Sequence, residues 1–432
     1  MEPFWHLYRQ HYASDLPMKL MEHMAIGRLA EADQEVIDEQ MNVLELDDPY
    51  AREPMRHKVL VVHSDTPMNA ETPSRLLTSN YLTPSALFYI RHHHPVPFLS
   101  EKDIHDYRLK VDLTAYGKGV VSFSMDELKK MKKVEVTATL QCSGNRRAGF
   151  NDLKRTSGTP WGQGAVSTAK WGGVKLADLL EFAGLEDAFE AEDDMGLEHV
   201  RFHALDGMSA SIGIEKALNP YGDVIVCYEM NDEPLPRDHG FPLRIIVPGY
   251  AAVRNVKWVE KIELAKTEAE GAWQRGLNYK TLPPAVTDAK NVNLDEMPSM
   301  TEVSTFSGIT HSNVVSEGKA KPGNAVTMKA EGWAWAGGGR NIVRVDVTGD
   351  GGKNWATATL TEGKQQRFGR SWAWVFWECD VPAVVNDDGT VQLASKAVDL
   401  AFNSQPESSD HGWNVRGLGN NAWYKQTVKV CD

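Results

Sequence analysis

Between residue 291 and the C-terminus, runs that alternate apolar and polar residues recur at short intervals with turn residues between them. The runs are Ala325-Val326-Thr327-Met328-Lys329, Ile342 to Val347, Trp355 to Leu360, Ser371 to Trp377 and Val391 to Val398. A period of two sends alternate side chains to opposite faces of a strand, so each run can bury one face. Gly349-Asp350-Gly351-Gly352 is a strong hairpin signal between two of them, because tight hairpins need residues that accept positive φ. Short strands punctuated by turns predict an all-β sandwich for residues 291–432.

Residues 61–290 read differently. Leu176, Leu179, Leu180 and Ala183 keep helical spacing and stop at Gly184, whereas Leu243-Arg244-Ile245-Ile246-Val247 reads as a strand. The order does not repeat as βαβ units, which predicts an α+β fold rather than a doubly wound sheet. No GxGxxG follows a strand, and Gly337-Gly338-Gly339 reads as a tight turn. Residues 1–60 read as an acidic leader or linker. Residues 1–55 hold four Lys/Arg against twelve Asp/Glu, so −8 of the chain's net −13 lies there. A short helix is expected around Met18, Met21, Met24 and Ala25, with Gly27 as its stop.

These patterns exclude some functions. With no basic stripe to neutralise phosphates, nucleic acid is not the partner, while an acidic face suits a basic protein such as a c-type cytochrome. No stretch approaches the ~20 apolar residues that cross a membrane, so no insertion is expected. Met1-Glu2-Pro3-Phe4-Trp5 lacks the basic end and apolar core of a secretory signal, and Val430-Cys431-Asp432 is not a peroxisomal address. The cysteines Cys142, Cys227, Cys379 and Cys431 are widely spaced, which argues against a disulfide framework.

One cysteine stands apart. Val134-Glu135-Val136-Thr137-Ala138-Thr139-Leu140-Gln141 alternates toward Cys142, and the pattern breaks at Gly144. The spacing predicts a strand with Val134, Val136, Ala138 and Leu140 on its buried face and the thiol where strand becomes loop. Arg146 and Arg147 follow at once. Nearby positive charge favours thiolate, the form that binds soft metals. A buried structural cysteine gives the same local pattern, so the motif alone leaves both readings open.

The segment Thr139-Leu140-Gln141-Cys142-Ser143-Gly144-Asn145-Arg146-Arg147 resembles the molybdenum-binding segment of the sulfite oxidase family. Further segments follow in that family's order: Leu82-Thr83-Pro84, Arg91 through Pro95-Val96-Pro97, and Ser167-Thr168-Ala169-Lys170-Trp171-Gly172-Gly173. After them come Tyr228-Glu229-Met230-Asn231, Arg237-Asp238-His239-Gly240-Phe241-Pro242, Val256-Lys257-Trp258 and Trp413-Asn414-Val415-Arg416. The resemblance implies an α+β molybdopterin-binding domain of the sulfite-oxidase type, residues 61–290. It implies that the following all-β sandwich is immunoglobulin-like and supports a homodimer.

It also implies a site. Cys142 would ligate molybdenum carried by a pyranopterin (molybdopterin). Arg91, Arg147 and Arg416 would line the sulfite pocket with Trp161 and Tyr279, a guanidinium being always charged and able to fork onto two oxygens. Tyr279 would donate a hydrogen bond and shuttle a proton. His93, His239, Arg244, Arg254 and Lys257 would hold the pterin and its phosphate. The implied reaction is oxidation of sulfite to sulfate by oxygen-atom transfer at an oxo-molybdenum centre, with electrons passed to a cytochrome or to dioxygen. The Glu2-Pro3-Phe4-Trp5 start is similar to the stretch after the haem domain of animal sulfite oxidases. No haem is expected in this chain, so a haem partner, a cytochrome c and dioxygen stand as acceptors. An animal-type protein would sit in the mitochondrial intermembrane space, with a peroxisome or a bacterial compartment as alternatives.

The chain departs from the family's usual pattern at His92 and His94, where the family has Asn and Leu. Histidine titrates near neutrality, so the electrostatics around the cofactor are expected to vary with pH. The stretch Trp273–Tyr279 is one residue longer than usual, which bears on where Tyr279 falls. His411 and Gly412 precede Trp413 where apolar residues or Pro are usual, which is expected to loosen the Arg416 loop. His92-His93-His94 is not read as a zinc site, because neighbours on an extended chain point apart, and there is no HExxH. Two rivals remain: a nitrate reductase, whose counterpart of Arg416 is typically Met, and a non-catalytic assembly protein built on the sandwich.

Overall fold

The computed structural model describes residues 48–187, 190–288, 292–315 and 321–430. The expected helix around Met18 to Ala25 lies outside them, as does Cys431. Among the described residues no helix is long and apolar enough to cross a membrane.

The N-terminal part is built on three sheets with few, short helices. A three-stranded sheet takes Val61–Asp65, Met68–Glu71 and Ile90–Arg91 in order. A second runs Glu233–Pro234, Ile225–Met230, Val166–Lys175, Lys133–Gln141, and Arg244–Ile246 also pairs with Ile225–Met230. A third runs Val120–Ser124, Arg108–Asp112, Val259–Ala265, His199–Ala204, Ser209–Gly213. In this last sheet Val259–Ala265 lies parallel to Arg108–Asp112 and antiparallel to His199–Ala204. The mixture is α+β, as expected.

The helix Leu176–Ala183 forms where its spacing placed it. Leu176, Leu179, Leu180 and Ala183 are buried, and Gly184 ends it at φ 115°, a left-handed position that glycine takes without cost. That apolar face packs into the main N-terminal core with Leu109, Phe202, Ile212 and Ile262.

Residues 306–429 form the sandwich. One four-stranded sheet is Phe306–Val314, Ala325–Trp335, Val375–Val384 and Thr359–Leu360. The other is Ala356–Thr357, Ile342–Thr348, Thr390–Asp399 and Tyr424–Lys429. Met328, Val345, Trp377 and Leu393 meet between them. The expected single strand from Trp355 to Leu360 is two short ones, each in a different sheet, joined through buried Ala358. The expected strand from Ser371 begins only at Val375.

Residues 371–374 serve the junction with the N-terminal part instead. Thr139 N donates to Trp372 O at 2.9 Å, and Trp374 N to Thr139 Oγ1 at 2.8 Å. Trp335 Nε1 donates to Gln141 Oε1 at 2.7 Å. The strand that leads to Cys142 is therefore held from behind by the sandwich. Leu77, Val166, Trp333, Trp335 and Trp374 share one buried cluster across this junction.

Candidate active site

Strand Lys133–Gln141 delivers Cys142 to the lining of a cavity that it shares with Tyr89, Arg91, His93, His239, Arg244 and Lys257. The loop after it is fixed by its backbone. Cys142 N donates to Ala165 O (3.0 Å), Asn145 N to Cys142 O (2.9 Å) and Arg146 N to Gly162 O (2.6 Å). Arg146 takes φ 65°, which turns the chain so that Arg147 points back. Arg147 Nε donates to Arg416 O (3.0 Å) and Nη1 to Thr159 O (2.7 Å). A Cβ on Gly144, Gly158 or Gly417 would strike the Arg147 side chain, so three glycines make its cradle. Burial pushes the Arg147 pKa down, opposed by Cys142 and Tyr279.

Of the other expected anion-site residues, Arg91 lines this cavity, while Arg147, Arg416 and Trp161 are not among its lining residues and adjoin it through Cys142 and Tyr279. Arg91 Nη1 donates to Asn69 Oδ1 (2.8 Å) and to His92 O (2.5 Å). Arg416 Nη1 donates to Ser157 Oγ (2.8 Å) and Nη2 to Asn278 Oδ1 (2.7 Å), while its Nε is buried without a partner. Arg91, Arg147 and Arg416 act on one another and on Tyr279 electrostatically. Every partner of these three guanidiniums is neutral, and among the described residues none pairs with a carboxylate. Three uncompensated positive charges in a chain of net −13 describe a site for a small anion. Trp161 is fully buried in the cluster that holds Cys142, with Nε1 unpartnered.

Tyr279 lines the cavity despite the lengthened stretch before it, in the short 3-10 helix Leu277–Tyr279. Its hydroxyl lies 3.1 Å from His93 Nε2. Burial raises its pKa, so the phenol stays protonated. Burial and then the Arg91 charge keep His93 neutral, with its pKa well below the usual histidine range. The Arg416 loop is not loosened. Trp413 Nε1 donates to Lys154 O (2.8 Å), Asn414 Nδ2 to Leu418 O (2.8 Å) and Ser157 N to Val415 O (2.9 Å). Those bonds, made by loop residues that follow Gly412, fix the loop without the apolar contacts expected there.

The same cavity is lined by His239, Arg244 and Lys257. His239 Nε2 donates to Ser85 O at 3.2 Å, which leaves Nδ1 as an acceptor; burial pushes its pKa down to about 3. Arg244 spends Nη1 on His239 O (3.1 Å) and leaves Nε buried without a partner. Lys257 Nζ donates to Arg91 O (3.3 Å), Asp238 O (3.1 Å) and His92 Nδ1 (2.5 Å). Burial and then Arg244 push the Lys257 pKa well below the lysine range.

One expectation needs correction here. His92 is not a titrating neighbour of the cofactor. Its ring is fully enclosed between Lys257 Nζ and Asp238 Oδ1 (2.9 Å). Nε2–H must donate to the carboxylate and Nδ1 accept from the ammonium, which requires the neutral ring. Burial and then the Lys257 charge push its pKa down to about 3. Arg254, like Arg147 and Arg416, is not among the residues that line the cavity, and its Nη2 is buried without a partner. Its Nε donates to Met300 O (3.0 Å) and Nη1 to Trp273 O (2.9 Å) and to Gln274. Since Met300 N donates to Tyr279 O (2.9 Å), Arg254 braces the segment that carries Tyr279.

The three histidines take separate partners, His94 facing Asp206 Oδ2 at 3.4 Å. Residues that sequence reasoning passed over complete the site. Asn69, Ser157 and Asn278 seat the arginines. Arg56 forks onto Asp238 (Nη2–Oδ1 2.7 Å, Nε–Oδ2 3.2 Å). Burial opposes the charge on Asp238, yet His92 and Arg56 hold its carboxyl well below the usual range. Glu53 Oε1 accepts from Val96 N at 2.7 Å, so the end of the expected leader is part of the folded domain. Asp238 lay in a quoted motif and Asn278 beside Tyr279; Asn69 and Arg56 had no local signal.

The donor set fits a molybdenum–pyranopterin group. Among the described residues no three His, Cys, Asp or Glu are grouped to hold a metal ion, so a metal here would bring ligands of its own and take Cys142 as the protein's soft donor. Buried Arg244 Nε and Ser143 Oγ lack partners, each a cost of about 1–3 kcal/mol until a polar group is bound.

The chain matches two family models, the oxidoreductase molybdopterin binding domain over residues 93–273 and the Mo-co oxidoreductase dimerisation domain over residues 298–431. It is 40% identical over 436 residues to the mitochondrial sulfite oxidase of Homo sapiens, covering 100% of this chain and 75% of that protein. It is 38% identical over 395 residues to the sulfite oxidase of Arabidopsis thaliana, covering 88% of this chain and 96% of that one. The fold is similar to the crystal structure of the sulfane dehydrogenase SoxCD from Paracoccus pantotrophus, with a TM-score of 0.67, 24% identity and coverage of 94% and 91%.

Proposed function

The chain belongs to the sulfite oxidase family, and from that premise we propose that it oxidises sulfite to sulfate at a molybdenum–pyranopterin centre ligated by Cys142. The observation that carries the reading is the convergence of Arg91, Arg147 and Arg416, all bonded to neutral acceptors, beside Cys142 and Tyr279. The reaction consumes sulfite and water and yields sulfate, two protons and two electrons. When bound, the molybdenum group supplies the transferred oxygen and accepts the two electrons.

The chain's own residues do the rest. The three guanidiniums hold the anion's oxygens through charge-assisted hydrogen bonds, and Trp161 Nε1 adds a donor. Spreading the charge over three partly occupied guanidiniums lets sulfate leave, since uniform tight binding would slow release. Protonated Tyr279 donates its one O–H hydrogen to a substrate oxygen, and neutral His93, at 3.1 Å, orients the hydroxyl by donating Nε2–H to it. His239, Arg244 and Lys257 take the pterin and its phosphate. Arg416 favours sulfite over the nitrate-reducing alternative, and the neutral-bonded arginines have no use in a non-catalytic assembly protein.

The reading divides the chain into a cofactor domain, residues 61–290, and a sandwich, residues 291–432. The match to a dimerisation model supports a homodimer. Molybdenum is proposed as the redox centre of this chain, with no haem of its own; a Soret band in the purified protein would contradict that. The acceptor is a cytochrome or dioxygen, and hydrogen peroxide formed during turnover separates them. The test of the reaction is sulfate production from sulfite by molybdenum-loaded protein, with ferricyanide as acceptor. One sulfate per two ferricyanides is expected, and ferricyanide reduction without sulfate would overturn the reading.

A further inference from the structure

We propose that strand Met68–Glu71 is a brace for the anion site, with Asn69 the positioning residue for Arg91 and Glu71 the positioning residue for Trp161. The inference rests on the reading of the arginine cluster as the sulfite pocket. Residues two apart on a strand share a face, and Asn69 and Glu71 each reach one wall of the pocket.

Asn69 lies directly opposite Arg91 in the register of Met68–Glu71 with Ile90–Arg91, which puts their Cβ atoms about 5 Å apart. It is 4% exposed. Its Nδ2 donates to Pro67 O at 3.0 Å, which turns Oδ1 to accept from Arg91 Nη1 at 2.8 Å. That geometry specifies an amide. A carboxylate of the same shape would lose the bond to Pro67 and would cancel the charge on Arg91.

Glu71 shows the converse choice. Its Oε1 accepts from Gly162 N (3.2 Å) and Oε2 from Gly164 N (3.1 Å), and Thr72 N donates to Gly164 O (3.2 Å). A Cβ on Gly162 would meet Glu71 Oε1 at 2.8 Å, so the loop sits close on the carboxylate. That loop begins at Trp161, whose Nε1 is buried and unpartnered. An acceptor-only group is placed where two N–H donors arrive, and a neutral group where a guanidinium must keep its charge.

The test uses the molybdenum-loaded enzyme and its Asn69→Asp, Asn69→Ala and Glu71→Gln variants. Steady-state sulfite oxidation gives KM and kcat, and titration calorimetry gives sulfate affinity without turnover. Asn69→Asp is expected to raise KM and the sulfate Kd about tenfold, or 1.4 kcal/mol, with kcat within about twofold and with weaker salt dependence of KM. Asn69→Ala, which frees Arg91 but leaves it charged, is expected to raise both by less. Glu71→Gln, which turns a donor toward one glycine N–H, is expected to raise both. Unchanged KM and Kd in Asn69→Asp, or a larger rise in Asn69→Ala, overturns the brace and leaves only a structural residue. If the wild type does not oxidise sulfite, the functional reading fails, while the sulfate titrations still decide the brace.

Discussion

Replacing His92 by Asn should make the enzyme less sensitive to acid. In the folded chain the ring is enclosed between Lys257 and Asp238, and its pKa is pushed down to about 3. In the unfolded chain it returns to about 6.5. The folded value is the lower one, so the unfolded chain takes up a proton first as pH falls. The contribution to stability is fully present above pH ~6.5 and is lost progressively down to about 3. At pH 5 the unfolded imidazole is about 1.5 units below its pKa, which costs the folded state about 2 kcal/mol at 1.36 kcal/mol per unit. His239, also pushed down to about 3 by burial, contributes a similar amount. An asparagine does not titrate, and its amide oxygen can accept from Lys257 in place of Nδ1, although the shorter side chain does not reach Asp238 as Nε2 does. Urea unfolding of wild type and His92→Asn at pH 7.5 and pH 5 should therefore show the variant losing about 2 kcal/mol less between the two pH values. Equal losses would refute the enclosed neutral ring. The same enclosure predicts that the pH profile of turnover is the same in both proteins from pH 6 to 9. A profile that shifts in the variant would restore His92 as a titrating neighbour of the cofactor.

Three further outcomes follow from the site. Cys142→Ser should abolish sulfite turnover and lower bound molybdenum while far-ultraviolet circular dichroism is unchanged, because the strand and loop are fixed by backbone bonds; full activity would remove Cys142 as the ligand. Arg416→Met should raise the sulfite KM about tenfold or more, a loss of at least ~1.4 kcal/mol, with a smaller change in kcat; an unchanged KM would place Arg416 outside the pocket. Tyr279→Phe should lower kcat about 100-fold, the usual scale of a positioned proton donor, with little change in sulfate affinity by calorimetry; wild-type kcat would assign the proton to another group.

What could be read in the sequence is what is local. Helix Leu176–Ala183 shows in the spacing of four apolar residues and its stop at Gly184, and strand Lys133–Gln141 in its alternation. The crossover at Ala358 was not legible, because a period of two is the same whether consecutive residues stay in one sheet or change to the other. Nor was the role of Trp372 and Trp374, whose partner Thr139 lies far away in sequence. At the site, the resemblance placed Cys142, the three arginines and Tyr279 together. It could not place the groups that seat them, since Asn69–Arg91 is set by sheet register, nor the nearby ion pair of Arg56 and Asp238, which joins residues 182 apart. His92 was misread for the same reason: the triple His92-His93-His94 carries no sign of which ring is buried, and burial outweighs the intrinsic pKa. Arg254 was assigned to the cofactor from the resemblance, and its bonds to Met300 O and Trp273 O became visible only in three dimensions.

The most direct test of the account compares initial rates of one molybdenum-loaded preparation with sulfite, read by ferricyanide reduction, and with nitrate, read by oxidation of a chemical donor. The neutral-bonded arginines beside Cys142 predict saturable turnover with sulfite and none with nitrate. Turnover with nitrate alone, or none with either substrate while molybdenum is bound, would contradict it.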